Sequence, residues 1–116
     1  MDIIVEKTKK VAELLNIFNE QFPFLKLGIY FKGEELTTEQ YQLPLQKFVS
    51  KKEASTFAIS PLQKVSETER LFWENLGIQV TIFRKAGRSW LPTSFTSDWS
   101  LEHQNNKGVE MSDVFS

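Results

Sequence analysis

Residues 2–31 read DIIVEKTKKVAELLNIFNEQFPFLKLGIYF, and residues 56–83 read TFAISPLQKVSETERLFWENLGIQVTIF. Slid by 54 positions, Ile3 falls on Phe57, Val5 on Ile59, Val11 on Val65, Glu13 on Glu67 and Phe18 on Phe72. One residue dropped near Phe24 then sets Leu25, Leu27 and Ile29 on Ile78, Val80 and Ile82. Internal repetition of this kind constrains architecture before any single residue does.

Each copy carries the same three signals. Residues 2–6 and 56–60 are short, apolar and β-branched or aromatic, which suits a strand. Val11, Leu14, Leu15, Phe18 and Phe22 then follow one helical face, as do Val65, Thr68, Phe72 and Leu76, flanked by Leu71. Thr8 is a candidate N-cap for the first helix, and Ser66 with Glu69 a candidate capping box for the second. Pro23 and Gly77 are natural stops. Leu25, Leu27, Ile29 and Phe31 alternate with Lys26, Gly28 and Tyr30, and Ile78, Val80 and Ile82 alternate with Gln79 and Thr81, the period of a strand.

Two βαβ units in tandem predict an α+β fold, a ferredoxin-like plait (βαββαβ) with both helices on one face of the sheet. The alternative is an α+β sheet in which the two units pair differently. A single domain spans 1–116: repeat one at 2–32, a connector at 33–55, repeat two at 56–85, an added strand and short helix at 86–108, and a frayed tail at 109–116. In the connector, Pro44 introduces a short helix through Leu45, Phe48 and Val49. In the added segment, Gly87 turns a hairpin into a strand over 89–95, and Pro92 places that strand at a sheet edge. Ser100 caps a helix over 101–107 that Gly108 ends.

Composition narrows function by exclusion. The chain has 41% hydrophobic residues, enough for a core, and 14 basic against 15 acidic side chains. That balance argues against a dedicated nucleic-acid binder. No cysteine is present, so thiol nucleophiles and thiolate metal sites are excluded, and the single His103 removes multi-histidine zinc sites. Five scattered glycines form no phosphate loop. Neither a signal peptide nor a spanning segment is read, so a cytoplasmic protein without cofactor or metal is the expectation.

The stretch from Val80 to Thr93 (VTIFRKAGRSWLPT) and that from Thr96 to Asn105 (TSDWSLEHQN) resemble a motif of a family of small uncharacterised bacterial proteins of about this length. Phe22-Pro23-Phe24-Leu25-Lys26-Leu27 shares the resemblance. It implies no activity, substrate or cofactor, and it assigns no functional residue.

Four groups remain as site candidates. Phe83, Arg84, Lys85, Arg88 and Trp90 bring aromatics and cations to one hairpin, with Tyr30 as the matching aromatic in the first repeat. They read either as a cross-strand aromatic pair beneath a solvated turn or as a platform for unpaired bases. Trp73 sits where the first repeat has Asn19, and it either marks a contact surface or covers the connector. Asp98, Trp99, Glu102 and His103 have an acid–base look, yet no nucleophile is placed beside them. Glu34, Glu35 and Glu39 cluster in the connector without calcium-loop spacing. These signals favour a small non-enzymatic domain that binds a protein partner or its own copy through Trp73, Phe83, Arg84, Arg88 and Trp90. Single-stranded nucleic-acid binding on the sheet face is the alternative, and a small-ligand regulatory domain or an enzyme using Asp98 and His103 stands behind it. Function is expected in the second half, where the copies diverge.

Overall fold

The strands of the two repeats pair across the repeats and not within them. β1 (Ile3–Val5) lies antiparallel to β4 (Phe57–Ile59) as a two-stranded ribbon. β2 (Leu25–Phe31) lies antiparallel to β5 (Gln79–Ala86) at the centre of a four-stranded sheet. Short β3 (Glu34–Glu35) and β6 (Ser89–Pro92) form its edges. Helices α1 (Val11–Gln21), α2 (Val65–Leu76) and α3 (Leu101–Phe115) complete an α+β fold. This computed structural model describes the backbone of residues 2–115 and the side chains of residues 2–111.

The pairing replaces the expected plait. A plait needs the first and second strands of each unit in one sheet, whereas here the first strands form one sheet and the second strands another. The units do pair differently from a plait, but in two sheets, and the hairpin strand β6 joins the larger one rather than forming a small sheet of its own. The registers carry a local two-fold symmetry. Ile3 faces Ile59 and Val5 faces Phe57, while Ile4 faces its own equivalent, Ala58. Leu27 faces Ile82 and Ile29 faces Val80, while Gly28 faces its own equivalent, Thr81. Each register is that of a local two-fold axis between the paired strands, which antiparallel pairing allows.

The symmetry reaches further than the sequence reading placed it. Residues 37–48 (TTEQYQLPLQKF) correspond to residues 93–104 (TSFTSDWSLEHQ) at an offset of 56, bond for bond. Each opens with a turn, Gln40 N–H to Thr37 O in one half and Thr96 N–H to Thr93 O in the other, both 3.0 Å. Each then returns to the start of its own half's helix. Val11 N–H donates to Leu43 O, and Val65 N–H to Trp99 O, both at 3.0 Å. Leu45 and Leu101 donate back to Lys9 and Gln63 at 2.9 Å, and both side chains are fully buried. The connector is thus the first half's version of the hairpin and C-terminal segment, not an insertion.

This return explains two misplaced caps. A helix start leaves N–H groups in need of acceptors, and here backbone carbonyls of the returning segment accept from the first of them. The flanking residues are Lys10 and Lys64, in extended conformation without a side-chain cap; Thr8 lies outside the helix and Ser66 inside it. Glu67, not Glu69, accepts the Lys64 N–H at 3.5 Å. The stops fall nearer expectation: α1 ends at Gln21, and Gly77 closes α2 in the left-handed conformation, φ 64°.

Beyond Leu45 and Leu101 each arm crosses to the other half. Ser50 N–H binds Leu76 O at 3.1 Å, and Ser55 N–H binds Asn75 O at 2.9 Å. Reciprocally, Asn105 Oδ1 accepts the Phe24 N–H at 2.8 Å. Gly108 does not end α3, which continues through it to Phe115; the missing side chain lets the helix pass Phe24. Residues 109–115 are therefore helical backbone, while Ser116 lies outside the described residues.

One core joins the layers. The inward residues of the ribbon (Ile3, Val5, Phe57, Ile59) and of the sheet (Leu25, Leu27, Ile29, Val80, Ile82) share it with the helix stripes. Phe18 and Phe72, the central pair by symmetry, are fully buried. Burying each contributes about 1.5–3 kcal/mol.

Candidate functional site

The sequence candidates separate onto three surfaces. The first is the outer face of the four-stranded sheet. Register puts Lys26, Gly28, Tyr30, Thr81, Phe83, Lys85, Trp90 and Pro92 on it, since directly opposed residues share a face. Tyr30, Phe83 and Trp90 are half-buried there. Phe83 lies over Gly28, where an added Cβ would come within 2.9 Å of its ring. Lys26 Nζ sits 5.4 Å from the Phe83 centroid and Lys85 Nζ 5.5 Å from that of Trp90. Phe83 and Trp90 are not directly opposed, because Phe83 faces Pro92 and Trp90 faces Lys85. The expected cross-strand aromatic pair is thus replaced by lysine–aromatic contacts.

The second surface surrounds Trp73, which is 59% exposed. It rims a groove of about 320 Å³ with Tyr30, Phe31, Phe48, Ser50 and Gln79. Trp73 therefore shares its groove with Phe48 and Ser50 of the connector and remains exposed.

The third lies at the hairpin edge and beneath it. β5 and β6 join through Gly87 (φ 61°) and Arg88. Arg88 is exposed at the tip, but Arg84 is not a tip cation: register turns it to the inner face, opposite Leu91. Its Nη1 donates to Gln104 Oε1 at 3.2 Å, and its Cζ lies 5.9 Å from the Trp99 ring centroid. Its Nε is buried without a hydrogen-bond partner. Gln104 is fully buried and bonds Thr96 O at 2.9 Å and the Thr96 hydroxyl. Thr93 Oγ1 donates to Ile82 O at 2.7 Å.

Outward from this cluster the surface is apolar. Leu91 is 46% exposed, and Phe95, just past β6, is fully exposed at 104%. Thr93 N–H reaches Ile82 O, so alternation turns the backbone groups of Leu91 toward β5 and those of Trp90 and Pro92 outward. Proline has no N–H, which leaves Trp90 as the outward donor of this edge.

Asp98, Trp99, Glu102 and His103 do not assemble into an acid–base site. Exposed His103 meets the Trp99 ring edge-on at 4.5 Å, and Ser100 Oγ caps its backbone N–H at 3.1 Å. Among the described residues no hydrogen bond joins its ring to Asp98 or Glu102. Elsewhere, burial raises the Glu69 carboxyl above its usual value, partly offset by the nearby Ile82 backbone. Among the described residues there is no metal-capable cluster of acidic and histidine side chains, and no helix long and apolar enough to cross a membrane.

Leu91, Phe95 and Gln104 were not singled out from sequence. Gln104 was legible only once residues 93–104 were set on 37–48, where it replaces Phe48. Compared with known proteins, the chain matches no family model, no curated protein and no solved structure.

Proposed function

We propose that this protein is a non-enzymatic, cytoplasmic binding module whose partner is a protein segment that is both acidic and apolar, held along the hairpin edge of the second half. The carrying observation is Phe95, fully exposed beside an open edge strand that also exposes Leu91. Exposed large side chains clustered at an edge mark contact surfaces. Charge supports the choice of partner: no acidic residue occurs from Val80 to Ser97, while Lys85 and the exposed Arg88 lie at the hairpin. The same charge disfavours a second copy, which would bring like charges together and find only the Trp90 donor on the edge. Symmetry supports the location, because the equivalent edge of the first half is the two-residue, acidic β3.

The test is a defined peptide array, comparing acidic sequences with embedded Leu or Phe against basic and scrambled versions. Selective capture of the acidic apolar set, weakened by salt and lost in Leu91→Ser/Phe95→Ser, supports the reading. Equal capture of basic peptides, or capture unaffected by that double change, overturns it. Sedimentation as a monomer at high concentration is the matching expectation for self-association.

The outer sheet face favours a second reading. Tyr30, Phe83 and Trp90 alternating with Lys26 and Lys85 form a surface on which unpaired bases could stack. Binding of oligo-dT or oligo-U at low salt, reduced by Phe83→Ala and Trp90→Ala, would support it. No binding at low salt ends it.

A further inference from the structure

Phe31 and Phe48 pack edge-to-face at 5.3 Å in the first half. Their equivalents in the second half are Arg84 and Gln104, and the equivalent of Leu43 is Trp99. One half thus fills this place with an aromatic pair, and the other puts a guanidinium and an amide there. The fold does not require the polar version, since its own symmetry mate does without it.

The polar version is also incomplete. A charge withdrawn from water is normally paired. Arg84 has no carboxylate within ion-pair reach among the described residues. One of its five donors binds Gln104, the Nε donor is buried unbonded, and the guanidinium lies against Trp99. Gln104 cannot neutralise the charge; it orients it, and is itself held by Thr96. The side chain is only partly buried, so part of the guanidinium is open to solvent.

We infer that Arg84 anchors an oxyanion-binding site, with Gln104 and Trp99 as positioning residues and a carboxylate or phosphate group as the ligand. The planar fork of arginine takes such groups through two parallel N–H···O bonds. A ligand oxygen at Nη2, the donor that is neither bonded nor shielded, would supply the missing counter-charge, with the buried Nε–H beside it as the reporter. The inference stands apart from the hairpin surface, since it needs neither Leu91 nor Phe95.

The test follows the Arg84 Nε–H resonance by proton–nitrogen NMR of the full chain, titrating inorganic phosphate and, separately, acetate at constant ionic strength. Trp99 fluorescence in a Trp73→Phe/Trp90→Phe background is the second readout. Saturable shifts of Arg84 Nε at millimolar ligand are expected, with a parallel change in Trp99. The anion that binds more tightly identifies the source as phosphate or carboxylate. Arg84→Met abolishes the response. Arg84→Lys, which keeps the charge and loses the fork, and Gln104→Leu, which leaves the fork unoriented, each weaken it by about tenfold. Arg88→Met leaves it unchanged. Circular dichroism checks that Arg84→Met stays folded, as the aromatic pair at the equivalent place leads one to expect. No saturable shift with either anion at tens of millimolar overturns the inference, as does equal loss of binding in Arg88→Met. Failure of the peptide array with success here would remove the hairpin reading and leave this site standing.

Discussion

Gly108→Ala should destabilise the protein, against the trend for a mid-helix glycine. Gly108 lies inside α3, where alanine is favoured over glycine by about 1 kcal/mol. A Cβ there would lie 2.6 Å from Phe24 Cβ, 3.3 Å from Phe24 O and 3.4 Å from Arg84 Cγ. Carbon atoms prefer separations of about 3.5–4.0 Å, so the helix must back away by roughly 1 Å. Overpacking of that kind costs about 1–3 kcal/mol, which leaves a net loss of about 0–2 kcal/mol. Urea unfolding measures the loss directly, and a loss of 1 kcal/mol lowers Tm by about 4 °C. The partner substitutions sharpen the test. Phe24→Ala retains the Cβ that collides, so it should not relieve Gly108→Ala. Phe24→Gly removes that atom and should show favourable coupling in a double-mutant cycle. A Gly108→Ala protein about 1 kcal/mol more stable than wild type would refute the crossing of α3 over Phe24.

Four further outcomes are expected. Arg84→Met should leave stability within about 1 kcal/mol of wild type or raise it, because the lost Gln104 bond is offset by removal of an unpaired charge; calorimetry showing a loss above about 3 kcal/mol would make Arg84 a structural residue. Thr93→Val should cost about 1 kcal/mol in urea unfolding, since Ile82 O keeps the Thr93 N–H and loses only the hydroxyl. Glu69 has a raised folded-state pKa, so the folded protein binds its proton more tightly than the unfolded chain. Its contribution is complete below the usual value of 4.5 and is lost as pH rises through the higher folded value. Glu69→Gln should flatten stability across that window, and an unchanged pH profile would remove the assignment. Phe95→Ser, at a side chain fully in solvent, should change stability by no more than about 0.5 kcal/mol, so any binding loss is a surface effect.

The helices and central strands were legible because their signals are local. Val11, Leu14 and Phe18, and Leu25, Leu27 and Ile29, follow periods set by backbone geometry. Pairing was not legible in the same way. Nothing between Ile3 and Ile29 says whether β1 should lie beside β2 or beside β4, because either choice buries the same side chains. The missed caps share that cause, since the acceptors for Val11 and Val65 come from Leu43 and Trp99, distant in sequence. The repeat of 37–48 in 93–104 was hidden by spacing. The offset between equivalent residues rises from 53 at the central strands to 56 at the turns, because the second hairpin is longer. Arg84 was singled out for its charge, but its environment follows from register. The strand runs on to Ala86, so residue 84 belongs to the ladder and faces inward.

The exchanged pairing also bears on how the chain reaches this shape during synthesis. When residues 2–55 have left the ribosome, β1 has no mate and β2 has only the two residues of β3. Neither sheet can close until Phe57–Ile59 and then Gln79–Ala86 emerge, about fifty residues after the strands they join. Contacts so far apart in sequence slow folding, because chain closure precedes any gain from pairing. The nascent first half therefore waits as helix α1 and two open strand edges. The rate-limiting event should be the meeting of β2 with β5, so substitutions at Leu27 or Ile82 should slow refolding more than equally destabilising changes in α3.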